Sequence, residues 1–210
     1  MFDILVFTIL IPTLIGLLRF NKIEHSYRFF ILMLLASSLN ELNFAFNPNE
    51  NYKHLISHVN GIVESFFMLN LFLCWDKNSR TVNTKIILNS ILLVLLSIGI
   101  YNIQDHRYTA NIIHILILAA VSVYAFDIFN QKTIGQAPSK MAISKVLIII
   151  PYIIYNIYYI ITKIILYNLY KPASKHLFID LYRIIILINL ISYFSYSLAI
   201  LWAPKKEKYL

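Results

Sequence analysis

Long apolar runs broken by short polar stretches dominate this chain. Seven can be drawn, at about 2–18, 29–46, 54–75, 86–104, 108–128, 143–168 and 178–202. A helix needs roughly 17–25 mostly apolar residues to cross a bilayer, and most of the runs reach that length. The first and fourth fit it least closely. The breaks are short, except near 129–142, which holds Gly135 and Pro138. Such connections leave no room for a soluble catalytic or signalling domain. The pattern predicts an all-α, polytopic, seven-transmembrane-helix bundle forming one domain over residues 1–210.

Within the runs, polar residues recur at helical spacing. On a helical projection of the third run, His54, Ser57, His58, Gly61, Glu64, Ser65 and Met68 fall within about 120° of arc. Ile56, Val59, Val63, Phe66 and Phe67 cover the other side. A charge near mid-bilayer costs roughly 2.5–3.5 kcal/mol on insertion scales, so Glu64 is expected to face protein or water. The sixth run carries Tyr152, Asn156, Tyr159, Lys163 and Tyr170 in one stripe, with Tyr155 at its edge and Pro151 at its start. In the seventh, Asp180 and Arg183 sit one turn apart. Deeper in that run, Asn189, Ser192, Tyr193 and Tyr196 form a second stripe on roughly the opposite face.

Composition sharpens this picture. Apolar residues make up 59% of the 210 and charged ones 13%, against about 25% charged in a soluble domain. Mean hydropathy is +0.69. The net charge of +8 does not point to nucleic acid, because the basic residues lie in clusters between apolar runs. Their placement reads as membrane topology. One side receives Arg19, Lys22, Arg28, Lys77, Arg80, Lys85, Lys132, Lys140, Lys145, Lys205, Lys206 and Lys208; the other receives Lys53, Arg107, Lys171 and Lys175. The richer side is therefore expected to be cytoplasmic, with the N-terminus outside and the C-terminus inside. Met1 to Leu18 lacks a basic n-region and a small-residue cleavage motif, so it reads as a span, not a signal peptide. The single cysteine, Cys74, excludes an internal disulfide.

With that orientation, Asn40, Glu41 and Asn43 lie in the outer third of the second run, where Glu41 shares a face with Ser37 and Ser38. Glu64 lies about 15 Å below His54, and His114 lies near the outer end of the fifth. The expected ligand- or ion-binding site is lined by Glu41, His58, Glu64, Tyr159, Lys163 and Arg183, opening outward. The stripe of Asn189, Ser192, Tyr193 and Tyr196 is a secondary polar surface. His54 and His58 have the i, i+4 spacing that can hold a metal, but no third ligand is specified, so no metal or other cofactor is expected. Against the binding role stands a structural one, in which Glu41 and Glu64 pair with Lys163 or Arg183. Small residues at 57, 61 and 65 fit close helix packing, and Asp180 with Arg183 fits a local pair.

The chain resembles a family of small, seven-span, uncharacterised bacterial inner-membrane proteins typical of flavobacteria and their relatives. The likeness rests on the basic stop after the first run, the SSLNEL segment with Glu41, Tyr52 ahead of a helix bearing IVES with Glu64, and the aromatic last two runs. It implies an inner-membrane location and no particular chemistry. Retinal proteins require a lysine in the last span, and the seventh run has none. Ceramidase-type hydrolases carry their His-x-x-x-His pair in the final helix; here it stands in the third. Seven-span sugar transporters have matched prolines, which Pro12 and Pro151 do not reproduce. The expected role is binding or transport of a small molecule or ion. The alternatives are a membrane-embedded enzyme or an accessory subunit. The expected partners are the lipid bilayer and, where one is needed, a membrane protein or a second copy of the chain.

Overall fold

The computed structural model describes residues 2–46, 50–76, 91, 94, 98, 107–133, 140–168 and 175–205. Six helices account for nearly all of them: α1 (Phe2–Arg19), α2 (His25–Phe46), α3 (Glu50–Trp75), α4 (Arg107–Thr133), α5 (Lys140–Asn168) and α6 (Lys175–Trp202). They correspond to the first, second, third, fifth, sixth and seventh apolar runs. Several begin a few residues before the apolar run does, because the polar residues ahead of it are helical too. The fourth run, 86–104, lies outside the described residues apart from Ile91, Val94 and Ile98, which are helical. Among the described residues the only extended pairing is an isolated bridge between Ile23 and Lys205.

Four stretches are long and apolar enough to cross a membrane: His25–Phe46, Ile112–Asn130, Met141–Ile165 and Ile179–Trp202. The apolar parts of α1 and α3, Thr8–Arg19 and Val59–Trp75, are shorter. The expected count of seven spans thus exceeds what the described helices establish, which is four. Their surfaces are those of helices built for a lipid bilayer. On α5, Ile150, Ile154, Ile157, Ile161 and Ile164 are exposed at alternating four- and three-residue steps. On α6, Ile184, Leu187, Ile191 and Phe194 repeat that pattern. Along these stretches most polar residues turn inward, Asp180 and Arg183 of α6 excepted, the reverse of a helix in water.

The helices close into a ring. α2 packs between α1 and α3, α3 against α4, α4 against α5, α5 against α6, and α6 returns to α1. Contacts at one end give their directions. Arg19, at the end of α1, donates to the carbonyls of Ile200 and Ala203 at the end of α6. Trp75, closing α3, donates to Ser26 Oγ at 3.1 Å near the start of α2, and Lys145 near the start of α5 lies 5.2 Å from its ring. Ser144 donates to the Ala199 carbonyl at 2.7 Å, and Tyr124 of α4 to Asp76 at 2.7 Å. So α1, α3, α4 and α6 point towards this end, and α2 and α5 away from it. Arg19, Arg28, Lys145 and Lys205 gather here, making it the basic end.

Hydroxyls and small residues join the helices, as apolar packing alone cannot distinguish helix from lipid. Thr13 of α1 bonds Ser38 Oγ of α2 at 2.7 Å, and Gly16 lets Ile31 approach so closely that a β-carbon there would press on its side chain. Asn156 of α5 donates to Ser122 of α4 at 3.1 Å. Towards the basic end the interior is filled by an aromatic layer. Phe30 packs edge-on against Tyr196 with centroids 5.0 Å apart, and Phe72 against Tyr152 at 5.7 Å. Tyr27 and Trp75 complete it at 5.3 Å.

Candidate functional site

Beyond that layer the ring encloses a cavity of about 360 Å³, walled by α2 to α6. Small-molecule sites typically span roughly 300–1,000 Å³, so this one would hold a small solute. Along α6 it reaches from Tyr196, at the aromatic layer, to Tyr182, about 20 Å at the rise of an α-helix.

Each wall comes from the inward stripe of its helix. α2 contributes Ser37, Asn40 and Glu41 on consecutive turns, and α3 contributes Asn60, Gly61, Glu64 and Ser65. Glu64 is the best-held charge. The Ser37 hydroxyl and the Asn60 side-chain amide both donate to its Oε1, each at 2.5 Å. Oε2 has no hydrogen bond to a described residue. A carboxylate removed from water requires such donors to replace its hydration. The Ser37 proton is shared with the Met33 carbonyl at 3.0 Å, which anchors the side chain on its own helix.

Across the cavity stand tyrosines of α5 and α6. Tyr155 and Tyr159 stack with centroids 5.9 Å apart. Lys163 Nζ lies 5.3 Å from the Tyr159 ring centroid, an alkylammonium resting on an aromatic face. Lys163 has no ion pair with a described residue, although two carboxylates share its cavity. Two further polar atoms in the wall are buried without a hydrogen bond of normal geometry: Asn40 Oδ1 and the Tyr152 hydroxyl. On α4, His114 faces Tyr159 at 5.8 Å between ring centroids and fills the space beside Gly61, where a β-carbon would overlap the imidazole. Gly61 is thus where α3 and α4 approach each other closely.

Of the residues expected to form the site, the cavity brings together Glu41, Glu64, Tyr159 and Lys163. It also takes in the whole second stripe, Asn189, Ser192, Tyr193 and Tyr196. Arg183 is placed elsewhere. It pairs with Asp180 at 3.3 Å, both side chains about two-thirds exposed on the outside of α6. The side chains of His54 and His58 lie outside the described residues. Neither glutamate pairs with Arg183 as the structural alternative supposed. Asn60, His114 and Tyr182, which were not among the expected site residues, line the same cavity, as do Tyr152 and Asn156 from the sixth run's polar stripe. Asn60 stands about 40° outside the polar arc drawn on its helix, and its position one turn before Glu64 was the available signal. For His114 no periodic pattern marked the inward face.

No family model matches the chain, and no curated protein or solved structure matches it either.

Proposed function

We propose that this chain is a seven-span membrane protein that binds a small solute in the central cavity, and transports it where the cavity opens to both sides. The observation that carries this reading is the cavity's charge. Glu41, Glu64 and Lys163 share a space large enough for a small molecule, and Lys163 has no ion pair with a described residue. Structural charges in an apolar medium are expected to pair tightly. Charges kept apart around a cavity suit an occupant that supplies the missing partners.

The seven-span count draws support from helix direction. Neighbouring helices α3 and α4 are parallel, so Asp76 and Arg107 stand at opposite ends of the bundle. The sequence between them contains the apolar run 86–104, long enough for a crossing. The distribution of lysine and arginine favours a cytoplasmic basic end. The cavity then lies on the outer side, with its aromatic floor towards the cytoplasm, in a bacterial inner membrane such as that of flavobacteria.

The test uses the full-length protein, purified in detergent and reconstituted in vesicles, with a panel of amines, carboxylates and alkali cations. At least one class is expected to raise the unfolding temperature or to be taken up, and Glu64→Gln or Lys163→Met to remove that effect. If both substitutions leave every response unchanged, the site is misassigned.

A further inference from the structure

We infer that the occupant is an organic amine, bound as its ammonium form with its N–H groups directed at Glu64. This rests on the reading of the cavity as a solute site and specifies what it takes. Three observations converge.

Charge comes first. Glu41 and Glu64 line one cavity with Lys163 and His114, so carboxyl groups outnumber lysine ammonium groups there by two to one. In surroundings of low dielectric a carboxylate is held ionised best by a cationic guest, which favours an ammonium over an anionic or neutral occupant.

Surface comes second. Tyrosines and asparagines make up about half of the remaining lining, and the volume far exceeds what a bare alkali ion occupies. Hard cations seek dense shells of oxygen ligands, whereas aromatic faces bind alkylammonium groups. The chain supplies its own example in Lys163, whose ammonium rests over Tyr159. A second ammonium would find equivalent faces on Tyr155 and Tyr193.

Hydrogen bonding comes third and narrows the class. Both described donors to Glu64 converge on Oε1, and Oε2 accepts from no described residue. The wall therefore offers a carboxylate oxygen that lacks a donor. A primary or secondary ammonium brings N–H groups to meet it; a quaternary ammonium has none. Buried acceptors left unmet carry a penalty, so the site selects for N–H.

The experiment measures ligand-induced thermal shifts of the full-length protein with four probes: phenethylamine, its N,N,N-trimethyl derivative, 3-phenylpropionate and sodium chloride. With phenethylamine at about 100 times its Kd the unfolding temperature is expected to rise by several degrees. The trimethyl derivative is expected to bind at least about tenfold more weakly. Glu64→Gln keeps an oxygen for Ser37 and Asn60 while removing the charge, and is expected to abolish the shift. Glu41→Gln, one turn along the cavity, is expected to weaken it, and Asp180→Asn, on the outer surface, to leave it intact. Equal binding of the quaternary probe, or an amine shift that survives Glu64→Gln, overturns the proposal. A Glu64-dependent shift with sodium or 3-phenylpropionate alone also overturns it, while leaving the cavity a binding site. No shift with any probe overturns it, and the same outcome across the wider panel removes the binding role as well.

Discussion

At the scale of single residues, the interior is decided by where a polar side chain finds partners. Glu64 has two donors and an open oxygen, so its substitutions should separate charge from shape. Glu64→Ala leaves the Asn60 amide without its acceptor in the wall and is expected to cost about 1–3 kcal/mol. Glu64→Gln should cost less, and comparing their unfolding temperatures checks the ordering. Gly61 is a packing position. Gly61→Ala drives a methyl group into the His114 imidazole, for an expected loss of about 1–3 kcal/mol. Combining it with His114→Ala should recover part of that loss, a coupling read from a double-mutant cycle. The third run's polar arc made Gly61 and Glu64 legible as inward residues. It could not show that His114 is what lies opposite, because that depends on α3 and α4 being neighbours, and they are far apart in sequence.

At the scale of elements, inside-out helices made most of the wall readable. An α-helix in lipid presents apolar side chains outward, so the sixth run's tyrosine stripe had to turn inward, and Tyr152, Asn156, Tyr159 and Lys163 do so. Arg183 shows the limit of this reasoning. It is one residue from Tyr182, which lines the cavity, and that step of about 100° turns it to the outside. The two arginines Arg19 and Arg183 should accordingly behave differently. Arg19 closes the ring by donating to carbonyls at the end of α6, as a cation at a helix C-terminus is suited to do. Arg19→Met is expected to cost about 1.5–3 kcal/mol and to speed hydrogen exchange around 200–203. For Arg183→Met, which breaks an exposed pair, about 0–1 kcal/mol is expected.

At the scale of the whole molecule, the proposed seven-span topology, with α3 and α4 parallel, puts Asp76 and Arg107 on opposite faces of the membrane. Cysteines placed at positions 78 and 103, in a Cys74→Ser background, are therefore expected to react with an impermeant thiol reagent from opposite faces of the membrane. Labelling from one face would remove the seventh span. The aromatic layer beneath the cavity has an optical consequence. Of the chain's two tryptophans, Trp75 is 2% exposed and Trp202 43%. Trp75 touches Phe72, which touches Tyr152 in the cavity wall, and the Lys145 ammonium lies beside its indole. A Trp202→Phe protein has a single emitter, shielded from water and one ring away from the cavity wall. Its emission is expected to lie to the blue of free tryptophan, and to shift in wavelength or intensity when the space above Tyr152 fills. The protein thus contains its own fluorescent gauge of occupancy.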